Sequence, residues 1–382
     1  MQCLAVLATL LALTSAAAAV LEPRQTTACN NSPDLCSRSY SAITHLGAHN
    51  SPFLRDASTS FSTSGNHYFN STIQLDAGVR MLTAQVHRSD RGWLLCHTSC
   101  DLMDAGLLSD WLGEVKIWMD NNPSDVVSLL LVNSDNATPG DLATEFTRSG
   151  ITEYSYTPPS STAPQITWPT LQDLISANTR LMTFVASLNP SQVDSTNAYL
   201  MDEFTFIFET AFDNTDPSNF TCTADRPSSL RGRTAEAVSS GRMPLQNHFL
   251  YDTQLFGIEA PDEANITSTN APADRPGNMG DAAEACRREW AKPPVFILVD
   301  FFDQGPAIAT VDRLNGVTNP IGRTPPPARD TMTSGAGSSR ALPLGLVTLV
   351  NQVKNGANPN LGEWIWAAAD WSKTLGGWDT SP

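Results

Sequence analysis

An α/β barrel, with parallel strands alternating with helices, is the architecture this 382-residue sequence predicts, on three observations. Short runs rich in apolar and β-branched residues alternate with amphipathic helical stretches, the pattern of a mostly parallel sheet covered by helices. About eight such runs fall within roughly 270 residues, which suits a (β/α)8 barrel. No G-x-G-x-x-G fingerprint supports the other common arrangement, a doubly wound open sheet.

In chain order the runs are YSAITHLGA, VRMLTAQVH, WLLCH, VVSLLLV, RLMTFVA, FTFIFE, MPLQNHFLY and PVFILVDFF. In the second run Leu82, Ala84 and Val86 alternate with Thr83, Gln85 and His87. The apolar set is expected to face the helices and the polar set the barrel interior. The helix at LLSDWLGEVKIWM puts Leu108, Trp111, Leu112, Val115, Trp118 and Met119 on one stripe, and Asn121 and Pro123 end it. VVSLLLV, apolar almost throughout, reads as a strand buried on both faces. TLQDLISAN supplies a further helix.

Beyond this core the character changes at both ends. Residues 1–19 form an apolar run closing in small residues, the pattern of a secretory signal peptide. A Cys-containing segment (20–38) precedes the barrel (39–320), expected to be a single domain. A Pro/Gly/Ser-rich linker or loop (321–341) follows, then a closing helix and a tail (342–382) with Trp364, Trp366, Trp371 and Trp378. That tail is expected to pack on the barrel surface or to bind carbohydrate.

Cys3 leaves with the leader, so Cys29, Cys36, Cys96, Cys100, Cys222 and Cys286 remain, an even set that favours disulfides in a secreted chain. Proximity suggests Cys29–Cys36, Cys96–Cys100 and Cys222–Cys286, although other pairings are combinatorially open. Sequons at Asn30, Asn70, Asn136, Asn219 and Asn265 fit the same route. The formal charge of −16 argues against nucleic acid and against electrostatic holding on an anionic membrane. No later run approaches the ~20 apolar residues of a transmembrane helix. The expectation is an extracellular, monomeric glycoprotein.

Chemistry in parallel α/β folds sits at the carboxyl ends of the strands. His49 and Asn50 follow the first run, His97 ends WLLCH, Asn133 ends VVSLLLV, Asn247 and His248 lie in MPLQNHFLY, and Asp300 ends VFILVD. Two facing histidines can act as general base and general acid around a scissile bond, and a carboxylate behind one fixes its tautomer. That suits phosphodiester cleavage by a neighbouring hydroxyl. Cys96 and Cys100 flank His97, and a loop-stiffening disulfide there is favoured over a zinc site. No G-x-S-x-G, H-E-x-x-H or P-loop is present.

The segments HLGAHNSPF, TIQLDAGVRMLTAQVH, WLLCHTSCDL and WLGEVKIWMDNNPSDVVSLLLVN together resemble the X region of phosphatidylinositol-specific phospholipase C, with the nearer likeness to fungal secreted PLC-like phosphodiesterases. The resemblance is strongest over residues 39–136 and runs less specifically to about residue 319. It implies a distorted (β/α)8 TIM-type barrel. It also implies a phosphoric diester hydrolase with His49 as base, His97 as acid and Asp300 orienting His49, acting on an inositol-lipid-type or related phosphodiester. Asn50, Thr83, Gln85, Asn133 and Asn247 become the expected substrate contacts. Calcium-dependent members place acidic residues where this chain has Thr83, Gln85 and Asn133, and metal-independent members place an arginine where it has Gln85. A calcium site here would lack anionic ligands, so no metal and no cofactor is expected. Arg55, Arg80 and Arg88 are nearby cations, with Arg80 pointing outward by parity, and His45 and His87 are expected to be structural. The alternative is a catalytically weakened barrel that binds a phosphorylated or sugar-like ligand.

Overall fold

The computed structural model describes residues 28–254, 259–273 and 275–329. The expected leader, the closing helix with its Trp-rich tail, and the larger part of the 321–341 stretch lie outside the described residues.

The strands are β1 (His45–Ala48), β2 (Met81–Ser89), β3 (Gly92–Cys96), β4 (Asp104–Leu107), β5 (Val127–Asn133), β6 (Leu181–Ala186), β7 (Leu200–Asp202), β8 (Ile207–Glu209), β9 (Met243–Asn247), β10 (Tyr251–Thr253), β11 (Glu259–Pro261) and β12 (Phe296–Val299). The main sheet follows the order β7-β6-β5-β2-β1-β12-β9-β8, with every neighbouring pair on this path parallel. These are the staves of a curled barrel. Among the described residues no ladder joins β7 to β8, and one turn of helix, α5 (Glu203–Phe206), spans that seam. The barrel is therefore distorted, as the family resemblance implies.

The expected staves need one exchange. WLLCH is not a stave: β3 runs antiparallel to β2, with Ser89 paired to Gly92 across a two-residue turn, and β4 continues the meander. Gly92 supplies the positive φ of 123° that this turn requires. The missing stave is β7, three residues long and too short to show a period of two.

Side-chain parity sorts the two layers of the core. Leu82, Ala84 and Val86 pack outward with Leu129 and Leu131 of β5, Ile297 and Val299 of β12, and helices α1 (Ser71–Ala77), α2 (Leu108–Asn121) and α3 (Pro139–Ser149). The α2 stripe is buried as its spacing predicts. Met81, Leu130, Met182, Phe184, Met201, Leu245, Phe296 and Leu298 fill the interior. Gly47 lets strands β1 and β12 close on that interior, since a Cβ there would meet Leu298 at 2.3 Å.

The N-terminal segment closes the floor. Tyr40 is buried, donates or accepts a 2.6 Å bond with Ser128 Oγ and packs on Trp168 and His45. His45 hydrogen-bonds to the Tyr40 carbonyl and burial pushes its pKa down to about 4, so it is a neutral core residue. Helices α4 (Leu171–Ser176), α6 (Thr234–Ser239), α7 (Ile266–Thr269), α8 (Met279–Trp290) and α9 (Ala307–Asn315) complete the outer layer. The three disulfides are Cys29–Cys36, Cys96–Cys100 and Cys222–Cys286, as proximity suggests. No helix among the described residues is long and apolar enough to cross a membrane.

Candidate active site

The carboxyl ends of β1 and β12 lie side by side, because Ala48 pairs with Val299. The next residues, His49 and Asp300, are therefore neighbours. His49 Nδ1 stands 3.0 Å from Asp300 Oδ1, and Asp300 is only 1% exposed while His49 retains 13%. With Nδ1–H committed to the carboxylate, the lone pair of Nε2 is free to act as a base. The imidazole lies flat against Phe249 at 3.7 Å, which fixes its plane.

His97 reaches the mouth by a different route. The β2–β3 hairpin rises from the barrel and β3 returns toward its rim, delivering the loop after Cys96. The Cys96–Cys100 disulfide and the bond from His97 N to Met103 O close this loop tightly. The His97 ring packs against Phe53 at 5.1 Å. Burial pushes its pKa down to about 4, and the proximity of His49 pushes in the same direction.

The three residues share a backbone feature. Asn50, Thr98 and Phe301, each following one of His49, His97 and Asp300, have positive φ of 52°, 62° and 42°. Non-glycine residues rarely adopt this region, and such strain clusters at functional sites. Each turn ends a strand or hairpin abruptly and leaves the preceding side chain at the mouth.

The expected substrate contacts divide. Thr83 Oγ1 accepts from Asn50 N at 2.8 Å, Asn50 Oδ1 accepts from Gln85 Nε2 at 3.2 Å, and Gln85 Oε1 accepts from Thr98 N at 2.8 Å. Thr83 and Gln85 thus tie the His49 strand to the His97 loop. Asn50 Nδ2 remains buried without a protein partner, a donor in want of an acceptor, and His97 Nδ1 is likewise unpartnered. Asn133 must be withdrawn from the set. It has the outward parity of Leu129 and Leu131, and its amide is consumed by Ala137 N, Ala137 O and Ser187 O. Asn247 faces inward, but its Nδ2 serves Glu209 Oε2 at 3.1 Å and Thr210 O at 2.9 Å.

The nearby cations are engaged. Arg80 is locked outside the barrel on Asp125, Leu75 O and Val79 O. Arg55 pairs with Glu263 at 2.7 Å, and Arg88 is exposed over Trp93. Calcium does not fit at Asn50, because Asn50 Oδ1 already accepts from Gln85 and its other neighbour, Thr83, is neutral.

Two site residues escaped the sequence reading. Asn66 Nδ2 donates to Asp300 Oδ1 at 2.9 Å, and His67 Nε2 donates to the His49 carbonyl at 2.8 Å. Both are fully buried, and His67 is pushed down to about 4 by burial. They sit in the long loop after β1, which folds back so that Leu54 bridges His67. Gly65 permits this, since a Cβ would lie 2.3 Å from Leu54 O. Gly65 before an Asn-His pair was the available signal.

Fold and mouth together define a parallel α/β barrel with a carboxylate-oriented histidine and, within electrostatic reach of it, a second, buried histidine. Comparison with known proteins narrows this. Residues 35–315 match the family model described as PI-PLC X 1, and the chain belongs to that family. A protein of Arthroderma benhamiae named PI-PLC X domain-containing protein 1 is 37% identical over 292 residues, covering 76% of this chain and 90% of that one. Another from the same fungus, named an uncharacterized secreted protein, is 36% identical over 305 residues, covering 78% of this chain and 66% of its own length. Among solved structures, phosphatidylinositol-specific phospholipase C from Listeria monocytogenes aligns with a TM-score of 0.48 at 12% identity, over 74% of this chain and 95% of that one.

Proposed function

We propose that this protein is a secreted phosphoric diester hydrolase that cleaves an inositol-lipid-type or related phosphodiester with His49 and His97. The observation that carries the reading is the 3.0 Å His49–Asp300 pair, with His97 close enough for its proton affinity to respond to both. His49 Nε2 takes the proton of a hydroxyl adjacent to the phosphate, and that oxygen bonds to phosphorus. The P–O bond to the leaving alcohol breaks as His97 returns a proton to it. Free His97 is neutral at pH 7, because its pKa lies near 4. A phosphodiester anion beside it raises that value, so proton and substrate enter together.

Asn50 Nδ2 supplies an unpaired donor for an anionic oxygen, and the unpartnered His97 Nδ1 can join it once the ring is protonated. No free cation accompanies them among the described residues discussed above. A single neutral donor at a developing oxyanion is worth about 3 kcal/mol, and a cation there would add to it, so this site is expected to be slow beside one that has both. That same neutrality favours the second reading, a barrel that binds a phosphorylated ligand with little turnover. The family assignment, the three disulfides and the secreted relative support export to an oxidising compartment.

The test is ³¹P NMR on a panel of phosphodiesters, with and without chelator. A cyclic phosphodiester appearing before the monoester, at a rate indifferent to chelator, is expected. Absence of turnover on every diester leaves the binding reading; strong chelator inhibition overturns metal independence.

A further inference from the structure

The sequons are not scattered over the molecule. Asn70 caps α1 beside the mouth: the next residue, Ser71, bonds through Oγ to Ser51 at 2.7 Å, in the turn after His49. Asn136 lies in the loop that leaves β5, three residues past its last residue, Asn133. Asn219 lies in the loop after β8, whose Phe220 stacks on His248 at 4.1 Å just beyond β9. Asn265 lies in the segment whose Asn270 holds the Asp300 carbonyl at 3.0 Å. All four are exposed. Asn30, the remaining sequon, lies at the opposite end of the barrel. There its Oδ1 accepts from Val126 N at 2.7 Å, just before β5 begins, and the residue is only 5% exposed.

The acceptor chemistry agrees with this division. A glycan replaces one hydrogen of the asparagine Nδ2. The bonds of Asn70 fall on Oδ1, and Asn265 needs only one N–H for Asp262. Asn30 Nδ2 is buried, and a sugar there would part the N-terminal segment from β5. Glycans are bulky, hydrophilic and confined to surfaces. A flat lipid surface needs the opposite, namely apolar or basic contacts, and this chain carries a net charge of −16.

We propose that Asn70, Asn136, Asn219 and Asn265 carry N-linked glycans, and that these stand around the mouth and hold it off a bilayer, so that the site takes phosphodiesters delivered in solution. The modification stands on the structure and the secretory reading; the substrate class rests on the phosphodiesterase reading above.

The experiment uses the full-length protein secreted from a eukaryotic host. Glycopeptide mass spectrometry is expected to find the four rim asparagines modified and Asn30 bare. Modification of Asn30, or of fewer than three rim sites, overturns the assignment. The same protein is then compared on glycerophosphoinositol and on phosphatidylinositol–phosphatidylcholine vesicles, before and after an endoglycosidase trims each glycan to its first sugar. The native form is expected to stay in the supernatant when vesicles are sedimented and to favour the soluble diester at least tenfold. Trimming is expected to raise sedimentation and to cut that preference at least threefold. Native protein that sediments with the vesicles, or behaviour unchanged by trimming, overturns the shielding. If no form turns over either diester, the phosphodiesterase reading fails by itself, and the glycan map and sedimentation still decide this proposal. Thr72→Ala, Asn136→Asp, Thr221→Ala and Thr267→Ala remove the sequons while keeping the α1 and α3 caps, and together they should reproduce the trimmed behaviour.

Discussion

The β12–β1–β2 wall of the barrel is joined by continuous ladders and carries Asp300 at the mouth, hydrogen-bonded to His49 and Asn66. The β7–β8 seam has no ladder among the described residues, and the buried Glu203 and Glu209 stand there with the partly exposed Arg226. Arg226 grips Glu209 through Nε at 2.8 Å and through its second nitrogen, and lies 4.4 Å over Phe212. Burial raises the pKa of Glu203 well above the usual carboxylate range, and the charge of Glu209 adds to this. Burial is the largest influence and acts to raise Glu209, but the charge of Arg226 together with hydrogen bonds from Glu203, Arg226 and Asn247 holds that carboxyl below its ordinary value. The contrast explains where the barrel's positive charge went. An arginine lies near the rim, yet Glu209 holds it at the seam, while Asn50, Thr83 and Gln85 on the wall are uncharged.

If the wall serves chemistry and the seam serves stability, substitutions should separate the two. The largest effect is expected from His49→Ala, with kcat down about 10³–10⁴-fold and the unfolding midpoint nearly unchanged. Stopped assays beside urea titrations read both; a stability loss matching the rate loss would erase the distinction. Arg226→Met should do the reverse. Stranding Glu209 beside Glu203 costs about 3–5 kcal/mol of stability, visible as a lower urea midpoint.

Glu203→Gln tests the seam through pH. A group whose folded pKa is raised contributes stability that is full below its unfolded value, ordinarily 4.5, and is lost as pH climbs toward the folded value. The variant should therefore be flatter than wild type in a plot of stability against pH above about 4.5; parallel curves would remove Glu203 from the account. The smallest effect falls on the link between the two histidines. Gln85→Ala deletes bonds to Asn50 and Thr98 worth about 1 kcal/mol each, so kcat/KM should fall about thirtyfold, with kcat carrying most of it.

The wall was more legible in the sequence than the seam, for a physical reason. Strand periodicity announces which residues face inward wherever a run is long enough, and β2 shows this at Thr83 and Gln85 against Leu82, Ala84 and Val86. The same rule applied to β5 would have turned Asn133 outward with Leu129 and Leu131. A polar residue at a strand end was read there as a ligand, although the loop behind it also needs a staple. At the seam the signal fails because β7 and β8 are each three residues long and flank a single helical turn. WLLCH, by contrast, has a strand's composition, and composition does not distinguish a stave from a hairpin arm. Asn66 and His67 were hidden for a third reason: loop residues acquire burial from long-range folding that no local period records.

The most direct test of the two-histidine mechanism is the pH dependence of kcat/KM on one soluble phosphodiester, for wild type and His97→Gln. In the free protein only the protonated form of His97 can act as an acid, and its pKa is near 4. Because His97 must hold a proton while His49 has lost its own, wild-type kcat/KM should be bell-shaped in pH. His97→Gln should be slower throughout and lose the alkaline limb, leaving a rate that only rises with pH. A wild-type profile without an alkaline limb, or an alkaline limb that survives in His97→Gln, would contradict the assignment of His97 as the acid.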